Sequence, residues 1–538
     1  MPKKPNIVVI LCDDMGYSDL GCYGGEIDTP NLNRLASEGV RFTQFYSSPR
    51  CAPSRASLLT GLHPHQTGIG ILTYDDGPEG YPGNLNKNCV TMAEVLKDSG
   101  YRTYLSGKWH LAKDTVNAGD TWPLQRGFDR FFGTLAGSGS FYQPHTLTRD
   151  NENIEQEAMQ EGFYYTDAIT GNAVGFIQDH LRDYPDNPFF QYVAYTAPHW
   201  PLHASEEDIV KYKGRFDKGW DRLREERLDR MRDMGILPAA WVLSERDADQ
   251  PAWDDADHKE WRLRCMEVYA AQIDRMDQGV GQIISTLQEA GQLEDTLILF
   301  LSDNGGCAEH IYPHPDPGPA LIPKKVSRDG KPVILGNHPD VMPGPEHTYQ
   351  TYSHWANLSN TPFRLYKSWV HEGGIATPLI MHWPNEIQDK GSLRHTPGQL
   401  PDLMATVMEA ANASYPLTYK GRDILPLEGR SLVPLVKPDN GLQPEPAQYL
   451  FWEHQGNAAV RFGYWKLVKQ YPGSWELYDL EKDRTETHDL SASYPGLVQS
   501  MGEQYEAWAE RCGVIPRETI LRIPGRTTHP SPYFGWMI

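Results

Sequence analysis

Asn6-Ile7-Val8-Val9-Ile10-Leu11-Cys12-Asp13-Asp14 is the stretch on which the fold turns. Six apolar residues in a row, Ile7 to Cys12, do not alternate as a strand with one wet face does. They read as a strand buried on both faces, as in a parallel sheet. Two carboxylates end the run. The same design recurs three times. Thr296 to Ser302 runs into Asp303-Asn304-Gly305. Phe189 to Tyr195 runs into Ala197-Pro198-His199-Trp200-Pro201. Tyr101 to Leu105 runs into Gly107-Lys108-Trp109-His110. In open α/β sheets the ligand site lies beyond the carboxyl ends of the strands. Four segments thus bring Asp, Asn, Lys and His side chains to one edge. Singly, each has a plain reading: Asp-Asp and Asp-Asn-Gly make turns, Lys108 and His110 suit a solvated loop, and His199 suits packing. Their convergence favours a site.

The surrounding pattern supports an α/β chain. Thr29-Pro30 opens a helix that Gly39 ends. Thr91 and Glu94 form a capping box, with Gly100 as the stop. Residues 205–262, rich in Asp, Glu, Arg and Trp, are expected to form an insertion of solvated helices. Met266, Tyr269, Ile273, Met276, Val280, Ile283, Ile284 and Leu287 recur at helical spacing and read as core. Residues 308–360, dense in Pro, Gly and His, read as a long surface loop. Val460 to Val468 and Trp475 to Leu480 read as two antiparallel strands joined by Pro472-Gly473-Ser474, and a last helix covers about 494–511. The expected architecture is a large mixed, mostly parallel sheet flanked by helices over 1–435. A smaller C-terminal α+β domain with an antiparallel sheet follows over 436–538.

Of the 538 residues, 50 are basic and 71 acidic, a net charge of -21. That balance argues against nucleic acid and against docking on an anionic membrane. A small anionic substrate needs only local positive charge. Mean hydropathy is -0.56 and no apolar run approaches the ~18 residues of a membrane span. The run after Lys3 and Lys4 is too short for a signal peptide, so a cytoplasmic location is expected, or a periplasmic one had a leader been removed. Seven cysteines, an odd number without a CxxC pair, argue against a disulfide framework.

Cys51-Ala52-Pro53-Ser54-Arg55-Ala56-Ser57-Leu58-Leu59-Thr60-Gly61 needs another account. Pro53 suits a first helical turn, so Cys51 sits at a helix N-terminus, where amides and dipole favour an anion. Arg55 lies one turn on, on the same face. Asp13, Asp14, Asp303 and Asn304 offer hard oxygen ligands suited to calcium or magnesium rather than zinc, with coordination left for substrate oxygens.

Here the sequence resembles the type I sulfatases of the alkaline-phosphatase-like superfamily, in look closest to bacterial cytoplasmic arylsulfatases. Cys51 to Gly61 is similar to that family's extended Cys-x-Pro-x-Arg…Leu-Thr-Gly motif. The resemblance extends to Pro5 through Asp14, Gly107 to His110, Ala197 to His199, Ser302 to Gly305, Lys367 within Tyr366-Lys367-Ser368, and Glu476 to Leu480.

The resemblance implies that a maturation enzyme oxidises Cys51 to Cα-formylglycine, whose hydrate is the nucleophile. It implies one calcium ion per chain on Asp13, Asp14, Asp303 and Asn304, which also binds the matured Cys51 side chain and a sulfate oxygen. Lys108 and Lys367 neutralise other sulfate oxygens, and Arg55 stabilises the ionised nucleophile. His199 protonates the leaving alcohol. His110 takes the proton that lets sulfate depart. The implied reaction is hydrolysis of aryl or carbohydrate sulfate monoesters. Two alternatives stay open: a formylglycine-dependent phosphonate monoester or phosphodiester hydrolase, and a sulfate-ester-binding protein in which Cys51 is not matured. A hydrolase using Cys51 as a thiolate ranks last. Trp200, His145 and His310 are candidate substrate contacts, with His63, His65, Tyr142 and His354 in a wider set; the plain reading of each is packing.

Overall fold

A computed structural model describes residues 4–74, 77, 80–313, 324–437 and 447–523. An eleven-stranded sheet runs through it, in the order Leu393–Arg394, Val40–Tyr46, Ala376–His382, Thr296–Ser302, Asn6–Cys12, Phe189–Ala194, Arg102–Gly107, Arg130–Thr134, Leu147–Arg149, Glu152–Asn153; Gly398–Gln399 also pairs with Val40–Tyr46. The five strands from Thr296–Ser302 to Arg130–Thr134 are mutually parallel, and Ala376–His382 is antiparallel to both its neighbours. The four strands singled out from the sequence are therefore adjacent. Their register sets the site: Cys12 pairs with Ser302 and Leu11 with Ala194, so the segments after them emerge side by side.

Burial on both faces follows the pleat. Val8, Ile10 and Cys12 face one core, with the Met266-to-Leu287 stripe of the helix Lys259–Glu289. Ile7, Val9 and Leu11 face a second core under Cys51–Thr60, Met92–Asp98 and Leu400–Ala410. The Thr91–Glu94 capping box forms as expected. All seven cysteines are free and buried.

Four antiparallel strands, Tyr449–His454, Asn457–Phe462, Trp465–Lys469 and Trp475–Asp479, make a separate sheet. Val460, Leu467 and Leu477 pack on Met501, Tyr505 and Trp508 of the helix Pro495–Cys512. Ala459, Val468 and Tyr478 join the first core of the main sheet. The expected strand over 460–468 is in fact two strands, because Gly463, at φ +60°, turns the chain before Trp465. The hairpin through residues 472–474 is present.

Two further expectations change. Within 205–262, the helix Gly219–Asp233 is not simply solvated: Trp220, Leu223, Leu228 and Met231 are buried, as is Arg227, which meets Asp19 and Glu26. Within 308–360, Thr348, Gln350, Thr351 and Asn357 are buried, so the latter part is interior rather than a surface loop; residues 314–323 lie outside the described residues.

Candidate active site

The structure brings ten of the sequence-predicted residues together at the carboxyl edge of the parallel strands. Asp13, Asp14, Cys51, Arg55, Lys108, His110, His199, Asp303, Asn304 and Lys367 are all buried. Asp303 Oδ2 accepts from Arg55 Nη2 at 2.9 Å, and its Oδ1 accepts from the Asp14 amide at 3.2 Å. Lys108 Nζ donates to Asp13 Oδ2 at 2.5 Å and Lys367 Nζ to Asp14 Oδ2 at 2.8 Å. Asn304 Nδ2 donates to Asp14 Oδ1 at 2.7 Å.

Cys51 is the first residue of its helix, with Arg50 at the N-cap position and no side-chain cap. Its Sγ lies 3.4 Å from His110 Nδ1. Gly137 passes so close over His110 that a Cβ there would stand 2.3 Å from the ring, so a side chain at 137 would push the imidazole out of place. Asp14 (φ +66°) and His110 (φ +53°) both hold left-handed backbone. That conformation is unfavourable outside glycine and clusters at functional sites.

His199 Nδ1 meets the Trp200 carbonyl at 2.6 Å. A carbonyl only accepts, so Nδ1 carries the proton. Nε2 is thereby turned to the site, 3.3 Å from Lys367 Nζ and 3.4 Å from Asp14 Oδ2.

Burial dominates the electrostatics. It pushes the Cys51 thiol up, only partly offset by Lys108 and Lys367. The unmodified thiol is thus held protonated, which disfavours thiolate chemistry. Burial, then Lys108 and Arg55, hold His110 well below the usual range. His199 is also lowered, by burial against the pull of Asp14. Burial first, then the Asp13 charge, push Asp303 up to about 7. For Asp13, burial acts upward but Lys108, His199 and Arg55 outweigh it and hold the carboxyl down.

The donor set fits a hard cation. Asp13 Oδ1 and Asn304 Oδ1 are buried without a hydrogen-bond partner, an arrangement that is costly unless something positive faces them. Asp13, Asp14 and His199 also place ligand atoms within 4.8 Å of one another. His199 Nε2, however, shares that spot with the Lys367 ammonium, so the oxygens rather than the imidazole are the donors open to a cation.

The weaker candidates divide. Trp200 is at the site, its ring tilted 5.0 Å from that of His199. His310 hydrogen-bonds Asn337, and His145 packs beside Gly139. His63 packs on Trp508, His65 pairs with Glu453, Tyr142 meets Tyr164 and His203, and His354 meets Arg262. Two residues escaped the sequence reading. Glu309 accepts from Arg50 Nη1 at 2.9 Å and from Trp200 Nε1 at 2.8 Å. Arg50 also reaches Ser368 Oγ, beside Lys367, at 2.6 Å.

The sulfatase family pattern matches residues 5–413, and that of the N-sulphoglucosamine sulphohydrolase C-terminal region matches residues 363–508. The chain belongs to the sulfatase family. It is 31% identical to an uncharacterized sulfatase of Schizosaccharomyces pombe, over 95% of each chain. It is 33% identical to the arylsulfatase of Klebsiella aerogenes, over 80% of this chain and 91% of that one. The crystal structure of Ps i-CgsB is similar with a TM-score of 0.68 at 25% identity, covering 97% of this chain and 98% of that one. The family makes the chain a sulfuric ester hydrolase. Among the described residues no helix is long and apolar enough to cross a membrane.

Proposed function

We propose that the chain hydrolyses aryl or carbohydrate sulfate monoesters to an alcohol and inorganic sulfate. Cys51 would be matured to Cα-formylglycine by a separate maturation enzyme, and one calcium ion would be held by Asp13, Asp14, Asp303, Asn304 and the matured Cys51 side chain. The observation that carries this reading is the position of Cys51: a helix N-terminus, in hydrogen-bond reach of His110 and on the edge where Lys108, Lys367 and Arg55 converge. The hydrated aldehyde would supply an oxygen nucleophile, and the ion would supply positive charge for the transferred sulfate group.

The chain's own residues do the rest. Lys108 and Lys367 are preset by Asp13 and Asp14 and stabilise negative charge on the transferred group without reorganising. Arg55, pinned by Asp303, favours the ionised nucleophile. His199 presents Nε2 to the leaving oxygen, because Nδ1 is tied to the Trp200 carbonyl. His110 faces Cys51 through Nδ1, and burial keeps the ring neutral, able to take a proton there. We take the division near residue 435 as part of the same reading: the four-stranded sheet and the helix Pro495–Cys512 share a core of their own.

The test is sulfate release by the chain produced together with a formylglycine-generating enzyme, with an activated aryl sulfate, a sugar sulfate, a phosphonate monoester and a phosphodiester compared. Faster turnover of the sulfates is expected. Preference for the phosphonate or phosphodiester would transfer the proposal to that chemistry.

A further inference from the structure

We propose that Glu309 is a positioning residue for His199, acting through Trp200. This rests on the sulfatase reading and adds to it a residue that touches none of the reacting atoms.

Glu309 follows Asp303-Asn304 by a few residues and is 3% exposed. Its two carboxylate oxygens serve two different segments. Oε2 accepts the indole N–H of Trp200, and Oε1 accepts from Arg50, the residue before Cys51. Arg50 in turn donates to Ser368, the residue after Lys367. One buried carboxylate therefore ties together the segments that carry Cys51, His199 and Lys367. Charge-assisted hydrogen bonds of this kind are stronger and more directional than neutral ones.

The link to His199 is the Trp200 residue itself. Its side chain is anchored at Nε1 by Glu309, its ring lies against the imidazole, and its carbonyl accepts from His199 Nδ1. Anchoring the indole fixes the carbonyl, and the carbonyl fixes which ring nitrogen carries its proton and where Nε2 points. In the proposed reaction the ring enters doubly protonated, Nδ1–H on the Trp200 carbonyl and Nε2–H beside the Asp14 carboxylate. As the hydrate oxygen bonds to sulfur and the ester S–O bond breaks, the Nε2 proton moves to the ester oxygen and the neutral Nδ1–H ring remains. The electron pair of that bond stays on the oxygen, and the alcohol leaves. The Nδ1–H bond to Trp200 persists before and after. An imidazole free to tilt would still leave charge stabilisation by Lys108, Lys367 and Arg55 in place. Loss of Glu309 therefore falls on protonation of the leaving group. It is felt where the leaving alcohol is poor and little felt where a nitrophenolate departs unaided.

The experiment uses the full chain, produced with a formylglycine-generating enzyme, supplied with calcium, and checked for modification by the mass of the Cys51 peptide. Wild type, Glu309→Ala, Glu309→Gln, Trp200→Phe and the Glu309→Ala/Trp200→Phe pair are assayed on a nitrophenyl sulfate and a sugar sulfate. Glu309→Ala is expected to lose kcat on the sugar ester by roughly 10-fold or more beyond its loss on the nitrophenyl ester, with KM little changed. Glu309→Gln should recover part of that selective loss, since its amide oxygen can still accept from the indole. Trp200→Phe, which keeps an aromatic ring and the Arg50–Glu309 pair but lacks the indole N–H, should show the same selectivity. Combining it with Glu309→Ala should add little, because the two act through one contact. Equal losses on both esters in Glu309→Ala and Trp200→Phe would mean a scaffold role only and overturn the proposal. If Glu309→Ala does not fold, Trp200→Phe decides alone by the same criterion. A wild type that releases sulfate from neither ester overturns the sulfatase reading and this proposal together; an active wild type with unselective variants overturns this proposal alone.

Discussion

At the carboxyl ends of the parallel strands, Asp13, Asp14 and Asp303 face Arg55, Lys108 and Lys367. Where the four-stranded sheet meets the main one, Glu372 and Glu486 face Lys466 and Arg484. Both clusters are buried and both pair acids with bases. In the second, Lys466 meets Glu372 at 2.9 Å and Glu486 at 2.7 Å, and Arg484 meets Glu372 at 2.6 Å. Tyr46 donates to Glu372, and the Arg484 guanidinium lies 4.7 Å from the centre of the Phe363 ring. Each carboxylate oxygen there meets a cation or an N–H, and Arg484 Nη2, which has no hydrogen bond, belongs to a guanidinium packed among aromatic rings. The first leaves Asp13 Oδ1 and Asn304 Oδ1 without partners, beside a helix N-terminus carrying Cys51. The same ingredients thus differ in what they leave over: at the interface the carboxylate oxygens are matched by Lys466, Arg484 and an amide, whereas at the strand edge acceptor oxygens stay unmatched, as a cation site requires.

The sharpest way to separate the two is to remove the nucleophile position. Cys51→Ala should abolish turnover while changing stability by no more than about 1–2 kcal/mol, since only one small buried side chain is trimmed. Sulfate release above a trace in the purified variant would count against Cys51.

Removing the metal comes next. A chelator should reduce activity to background and lower the melting temperature, because an ion that binds only the folded state stabilises it. Calcium should restore both, and zinc should restore them poorly. Chelation without effect on either property would show that the two orphan oxygens hold no ion.

In the interface cluster the outcome should invert. Glu372→Gln leaves Lys466 and Arg484 short of a counter-charge, a change that costs about 3–5 kcal/mol in buried ion pairs. Burial pushes the Glu372 carboxyl up, but Lys466 and Arg484 outweigh it and bring it down to about 2, so the charge is present throughout the working range. Denaturant unfolding should register the loss. Turnover per folded molecule should stay within about twofold. A variant as stable as wild type but slow would place this cluster with the catalytic one.

The smallest effect is a pH dependence beside the interface. Burial holds His63 down to about 4, despite the opposing pull of Glu428. Its ring packs on Trp508 of the C-terminal helix. The unfolded chain binds a proton on this residue near pH 6.5, and the folded chain does so only near 4. Its contribution is therefore complete above about 6.5 and lost as pH falls toward 4, by roughly 1 kcal/mol per pH unit. His63→Gln should flatten that slope in urea titrations between pH 6.5 and 4.5; an unchanged slope would locate the acid sensitivity elsewhere.

The strand ends were legible in the sequence because each is a local event: an apolar run stops and a polar side chain follows. Adjacency of the four strands then needs only the rules of parallel sheets. Glu309 was not legible. It acts through Arg50 and Trp200, 259 and 109 residues away in sequence, and Cys307-Ala308-Glu309 carries no pattern of its own. The turn at Gly463 was hidden because Phe462, Tyr464 and Trp465 on either side look like strand. The buried face of Gly219–Asp233 was hidden because Arg224 and Arg227 point inward, where a pattern reader expects apolar residues.

The central claim is that Cys51 works as formylglycine at a calcium-bearing strand edge. It is met most directly by measuring, across preparations with and without the maturation enzyme, both the mass of the Cys51 peptide and the rate of sulfate release. The account predicts that rate rises in proportion to the fraction carrying the lighter aldehyde residue and is absent where the thiol is intact. Full activity in a preparation whose Cys51 is entirely unmodified would contradict it.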